Sequence, residues 1–201
     1  MVHKKLFKYS LLIILIIPSI SFCGDPPTSK AVGLFFSAGV GPRLPIGKFA
    51  NSTDLGYGLN VETSYTDTDV LPCFIFARLG FEQFPGSQEF YQQSEYSNYS
   101  TTIIPASLGV RYYFSPLAED VVLFLPVVEA YMSLTYFQVL NEFKPEAGRS
   151  NFKDEEWKVG GTVGVGLSMF LLEIMANYTY YNTNQYLSLN LSVRLPIFIN
   201  L

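Results

Sequence analysis

The sequence predicts an all-β fold: an eight-stranded antiparallel up-and-down transmembrane β-barrel preceded by a signal peptide. Three observations carry it. Apolar and polar residues alternate with period two through eight segments, the pattern of strands whose two faces meet different surroundings. Beyond residue 30 no apolar run reaches the 18 residues that a membrane-spanning helix needs. The 201 residues are 49% hydrophobic and 16% aromatic but only 15% charged, against about 25% charge in an ordinary soluble domain. The length allows one domain, and the apolar content excludes disorder. A net charge of -4 and a pI near 5.0 leave no basic face for nucleic acid.

The N-terminus is set apart first. Lys4, Lys5 and Lys8 precede an apolar stretch from Leu11 to Ile17 and then Pro18, Ser19, Ile20, Ser21, Phe22 and Cys23. A basic start, a short apolar core and small residues at its end describe a secretory signal peptide, here residues 1–23, with cleavage after Ser21 or Cys23. Acylation of Cys23 is a second reading, which Phe22 disfavours because a small residue is wanted there. Residues 24–30 then form a short linker and 31–201 the barrel. The mature chain carries a net charge of -7 and no histidine, since His3 is the only one. That removes the commonest general base and metal ligand. With Cys23 gone, Cys73 stands alone, so no internal disulfide is expected, and its apolar neighbours make it a small hydrophobe.

The eight strands follow in order. Leu34, Phe36, Ala38 and Val40 alternate with Phe35, Ser37, Gly39 and Gly41. Tyr57, Leu59, Val61, Thr63 and Tyr65 oppose Gly58, Asn60, Glu62 and Ser64. Ile75, Ala77, Leu79 and Phe81 face away from Phe74, Phe76, Arg78, Gly80 and Glu82. The fourth has Ile104, Ala106, Leu108, Val110, Tyr112 and Phe114 against Pro105, Ser107, Gly109, Arg111 and Tyr113. In the fifth, Phe124, Pro126, Val128, Ala130 and Met132 oppose Leu125, Val127, Glu129, Tyr131 and Ser133. The sixth sets Val159, Val163, Val165 and Leu167 against Lys158, Thr162, Gly164 and Ser168. The last two set Leu172, Ile174, Ala176, Tyr178 and Tyr180 against Glu173, Met175, Asn177 and Thr179, then Leu187, Leu189, Leu191, Val193 and Leu195 against Ser188, Asn190, Ser192 and Arg194. Lengths near ten residues suit a tilted strand crossing a membrane.

Connections alternate as well. Those near Thr66–Asp69, Ser115–Asp120 and Phe170–Leu171 are short, whereas Arg43–Leu55, Gln83–Ser100 and Phe137–Glu156 are long. Only Asn182–Gln185 breaks the pattern by being short. Short turns inside and longer loops outside are what transmembrane barrels show. A soluble lipocalin-like barrel that binds a small ligand is the alternative; it would turn its apolar face inward. The polar face, mostly Gly, Ser, Asn and Thr with about one charge per strand, is too small and too uncharged to meet water. Only Lys158 places a lysine inside a strand. Closure also removes edges that lipid would leave unsatisfied. Tyr57, Tyr65, Phe81, Tyr112, Phe114, Trp157, Tyr180 and Tyr186 are candidates for the two aromatic girdles.

These residues bring a family to mind. The segment Gly39-Val-Gly-Pro-Arg-Leu-Pro-Ile-Gly-Lys-Phe49, followed by Gly56-Tyr57-Gly58, resembles the first hairpin of the bacterial outer-membrane β-barrel domain family. Arg111-Tyr112-Tyr113-Phe114 and Val163-Gly164-Val165-Gly166 are similar to it too. The resemblance spans roughly Ala31 to Leu201. It implies a fold rather than an activity, with outer-membrane lipid and the barrel-insertion machinery as partners. Leu201 stands where such barrels usually end in an aromatic residue.

Chemical motifs are few. Gly160–Gly166 lacks the Gly-Lys-Ser/Thr ending of a phosphate loop and continues a strand alternation. Asp154, Glu155 and Glu156, with Glu119 and Asp120, lack the ligand spacing of a calcium loop. No cofactor or metal is expected. Enzymes of the outer membrane that rely on a histidine base are disfavoured, so the expectation is a non-enzyme. The informative set is the charges on the polar face: Glu62, Glu82, Glu129 and Glu173 with Arg78, Arg111, Lys158 and Arg194. In so narrow a space they should pair, because eight strands leave room only for side chains or one small ligand. The expectation is a plugged lumen in a monomer; a narrow-pore or lipid-active barrel is the rival. Tyr91, Tyr96 and Tyr99, set among Gln and Ser, have the makeup of an adaptable contact surface for an extracellular ligand or protein.

Overall fold

The computed structural model describes residues 32–67, 71–116 and 124–200. The signal peptide, the linker, Cys23, Glu119, Asp120 and Leu201 lie outside them. Eight strands occur in chain order: β1 (Val32–Ile46), β2 (Gly56–Asp67), β3 (Leu71–Pro85), β4 (Tyr96–Tyr113), β5 (Phe124–Phe143), β6 (Phe152–Met169), β7 (Leu172–Tyr180) and β8 (Gln185–Asn200). One short helix, α1 (Gln88–Gln93), lies between β3 and β4. Each strand pairs antiparallel with the next, and β8 returns to β1 through Val32↔Asn200 to Ile46↔Gln185, so the barrel closes. Both strand termini therefore share one rim, called inner here; the longer connections share the outer rim.

The period-two alternation places residues as the sequence requires. Outward positions such as Leu108, Val163 and Leu191 are exposed, while their neighbours Ser107, Thr162 and Asn190 are buried. A polar interior inside an apolar exterior is the reverse of a soluble ligand-binding barrel, which sets that reading aside. On β6 the outward apolar series runs from Trp157 to Leu167. At about 3.3 Å per residue and a tilt of about 40°, that is a band of about 25 Å, the height of the apolar belt of such barrels.

Aromatic residues bound the belt. Trp157 and Tyr136 meet with ring centroids 5.4 Å apart, and Tyr57, Phe81 and Tyr180 are exposed on the same outer side. Tyr65, Tyr112 and Phe114 lie toward the inner rim, joined there by Phe170, 84% exposed. Phe170 has a φ of 55°, the left-handed conformation that a two-residue hairpin demands. Tyr186 corrects the girdle expectation. It is buried in the lumen, because its even-numbered position falls on the inward face of β8.

The long connections are shorter than the sequence suggests. β1 continues to Ile46 and is followed by a 3-10 helix, Gly47–Asn51; β4 begins at Tyr96; β5 continues to Phe143 and β6 begins at Phe152. The barrel wall thus rises past the aromatic girdle, where the clean apolar alternation of the sequence fades although inward residues such as Asn141 and Phe143 stay buried.

Candidate functional site

The lumen is built in layers from inward side chains. Nearest the inner rim, Phe74 packs edge-on against Tyr113, with centroids 4.9 Å apart. Above it lies the charge cluster. Direct cross-strand partners start it: Glu62↔Arg78 between β2 and β3, and Arg111↔Glu129 between β4 and β5. Glu62 Oε2 accepts from Arg78 Nη2 at 2.7 Å and its Oε1 from Arg111 Nη1 at 2.7 Å. Arg194 Nη2, reaching in from β8, adds a third contact at 3.3 Å. Arg111 Nη2 also donates to Glu129 Oε2 at 2.6 Å, and Arg78 Nη2 to the same oxygen at 3.0 Å.

Glu173 on β7 completes the cluster. It accepts from the Tyr113 hydroxyl at 2.8 Å and lies 3.3 Å from Arg194 Nη2 and 3.5 Å from Arg111 Nη1. Three guanidinium groups thus face three carboxylates from six strands, with formal charge balanced. Aromatic faces hold the cations as well: Arg78 sits 4.8 Å over Phe76 and over Tyr131, and Arg194 sits 5.3 Å over Tyr113. Bidentate arginine–carboxylate contacts fix orientation as well as charge.

Two of the eight charges expected to form this network stand apart. Glu82 belongs to the next layer, where its Oε1 accepts from Arg43 Nε at 2.8 Å. Arg43, which sequence reasoning placed in a loop, lies on the continued inward face of β1 after Gly39 and Gly41. It also donates to Asn190 Oδ1 at 2.8 Å. Its room comes from Gly58 on β2, where an added Cβ would sit 2.6 Å from the guanidinium. The signal that could have found Arg43 is the alternation carried two residues further. Lys158 is not part of the cluster at all. It lies at the outer rim, bonded to Thr183 and Asn184, 3.0 Å from Glu156 and 4.8 Å over the Phe137 ring. Its strand has by then risen above the charged layer.

Over Glu82 sits an apolar cluster of Phe49, Phe84, Ile103, Phe137, Tyr181 and Tyr186. Phe49 comes from the 3-10 helix after β1 and packs on Phe84 at 4.9 Å. Tyr181, just past the end of β7, shares a 2.8 Å hydrogen bond with Thr135, and burial pushes its phenol up to about 12. Between this cluster and the charges, a cavity of about 20 Å3 is lined by Arg43, Asn60, Glu82, Tyr131 and Asn190 among others. That is room for about one water.

The tyrosines singled out at the loops occupy a second feature. Beyond the girdle, β4, β5 and β6 form a three-stranded blade, paired from Tyr96↔Phe143 and Asn141↔Phe152. β3 pairs with β4 only as far as Pro85↔Ser100. The edge this leaves on β4 is covered by α1: the Tyr91 hydroxyl accepts from Tyr99 N at 3.0 Å and donates to Tyr99 O at 2.8 Å. Lys144 Nζ ties the β5–β6 connection to Tyr91 O and Ser94 O. Tyr96 stacks between Phe90 and Phe143, at 5.3 and 4.7 Å. All three tyrosines are half-buried, so they order the blade as well as presenting a surface. Tyr91→Phe removes both hydroxyl contacts, worth about 1 kcal/mol net in total. Its expected result is roughly fivefold faster exchange of the Tyr99 amide, with the barrel unfolding midpoint unchanged.

No protein-family model matches the chain and no curated protein matches it. Among solved structures it is similar to Neisserial surface protein A (NspA), with a TM-score of 0.46 and 15% identity over 83% of this chain and 99% of that one. It is also similar to Ail, the attachment invasion locus protein of Yersinia pestis, with 0.45 and 11% over 84% and 100%. The N-terminal β-barrel domain of Pseudomonas aeruginosa OprF gives 0.44 and 13% over 81% and 98%. The assignment rests on the barrel's own two faces. An apolar belt of this height, wrapped around a ring of paired charges, has the two faces of a barrel that crosses a membrane, and the chain is an eight-stranded antiparallel β-barrel of that transmembrane kind.

Proposed function

We propose that the protein is a non-enzymatic outer-membrane barrel with a plugged lumen, acting structurally or in surface interaction through its outer end. The observation that carries the reading is the balanced cluster of Arg78, Arg111 and Arg194 with Glu62, Glu129 and Glu173, capped by an aromatic layer, with a cavity of about 20 Å3 between the two. Ions gain nothing from sites where every carboxylate is already held by a guanidinium, and a water-sized gap offers no path past the rings of Phe84 and Tyr186. The interior then serves rigidity, and contact with other molecules falls to the blade that carries Tyr91, Tyr96 and Tyr99.

Planar-bilayer recording on the purified protein tests the plug. The expected result is no steady conductance at neutral pH. Continuous openings of porin size in the unaltered protein would overturn it and favour the narrow-pore reading.

A further inference from the structure

The two sides of the blade end differently. On β4 the Tyr91 hydroxyl occupies the free backbone groups, as described above. On β6 pairing to β7 stops at Gly161↔Tyr180, while pairing to β5 continues to Phe152. Residues 152–160 therefore have a neighbour on one side only. The connection after β7 covers the lower part of this edge, where Lys158 Nζ bonds Thr183 and Asn184 and Gly160 lies against Tyr181. The upper part, 152–157, is open, and all six of its residues are exposed. Every second residue of an antiparallel strand turns both its N–H and its C=O toward the same side, so this run presents a ladder with no strand partner among the described residues. Six residues is the length of an ordinary strand.

The side chains along the ladder indicate what can pair with it. Asp154, Glu155 and Glu156 are consecutive. Among the described residues Glu156 has an ion-pair partner in Lys158, whereas Asp154 is met by the neutral amide of Asn141, and Glu155 by that of Gln138 and by the Tyr136 hydroxyl. A second copy of this chain is a poor occupant. Antiparallel self-pairing centred on Glu155 sets Asp154 against Glu156 and Glu155 against itself, and a shift by half a step sets Glu155 against Glu156 and Lys153 against Lys158. Like charges directly opposite are destabilising. The described strand ends Val32, Asp67, Leu71, Phe124 and Asn200 lie at the opposite rim. We infer that the open edge of β6 at 152–157 is a docking site for an extended, basic segment of another protein, added as an antiparallel strand with lysine or arginine opposite the three acids. Backbone pairing supplies the affinity of such additions and alternate side chains the selectivity. The inference rests on the surface-interaction reading and names the class of partner.

The test uses the full barrel in lipid nanodiscs and a nine-residue peptide with three consecutive lysines at its centre, flanked on each side by valine and threonine. Amide exchange at alternate residues of 152–157 should slow at least tenfold with saturating peptide. A counterpart with glutamate for lysine should leave exchange unchanged. N-methylation of one alternate set of peptide amides should abolish the effect, and methylation of the other set should preserve it. The variant Asp154→Lys/Glu155→Lys/Glu156→Lys should reverse the preference between the lysine and glutamate peptides. Equal behaviour of the two methylated peptides, or slowed exchange outside this edge alone, would overturn strand addition and leave only charge adsorption. No slowing at millimolar peptide would overturn it outright. A natural partner that bound the outer end of the triple-lysine variant as tightly as the unaltered protein would also overturn it, while leaving the surface-interaction reading intact.

Discussion

Arg111→Met is expected to lower the unfolding free energy of the barrel by about 3–5 kcal/mol, the scale seen when one member of a buried ion pair is removed and its partners stay charged. Arg111 is 2% exposed and is shared by Glu62 and Glu129, with Glu173 at 3.5 Å. Glu62, Glu129 and Glu173 are themselves only 3, 4 and 2% exposed, and Arg78 and Arg194 already contact them. Methionine fills most of the stem volume, so the loss reports charge rather than a cavity. Urea titration in lipid vesicles, followed by heat-modifiable gel mobility, measures it. Adding Glu129→Gln to the same chain should recover part of the loss, because it restores the balance between cations and anions. A loss below about 1 kcal/mol for the single variant would mean that the cluster does not brace the lumen.

Val163→Arg is expected to cost about 2–4 kcal/mol, the penalty for a guanidinium on the lipid face near the bilayer midplane. Val163 lies midway along β6 between Trp157 and Phe170 and is 58% exposed. In a barrel surrounded by water the same exchange at so exposed a position would fall within about 0.5 kcal/mol of neutral. The magnitude therefore separates the two environments directly. Lys153→Glu, above the girdle on the same strand, provides the control and should change stability by no more than about 0.5 kcal/mol.

The residues that were easiest to read are those that cross the belt. From Leu34 to Val40, or from Val159 to Leu167, each step swaps hydrocarbon for a crowded polar interior, and that contrast is written directly into the side chains. Reading became harder where the contrast ends. Gln138–Phe143 and Phe152–Glu156 look like loop because apolar and polar residues no longer alternate cleanly there, yet backbone pairing carries the strands on. Arg43 lies one alternation beyond Gly41, between Pro42 and Pro45, whose prolines interrupt the strand signal although the guanidinium is buried on the inward face of β1. Tyr186 was misplaced because aromatic content at a strand end does not reveal which face the ring takes; only its parity along β8 does.

Strand number, the faces of the residues that cross the belt, and closure follow from the sequence alone, since a period-two pattern between unlike media admits one arrangement of faces and lipid tolerates no open edge. The partners of the charges do not. Glu62, Arg111 and Arg194 come from β2, β4 and β8, and they meet because strand tilt and stagger set their heights inside the cylinder. The same stagger lifts Lys158 to the rim, brings Arg43 down onto Glu82 and leaves one edge of the blade uncovered. Height within a closed barrel is a property of all eight registers at once, so no single strand's sequence encodes it.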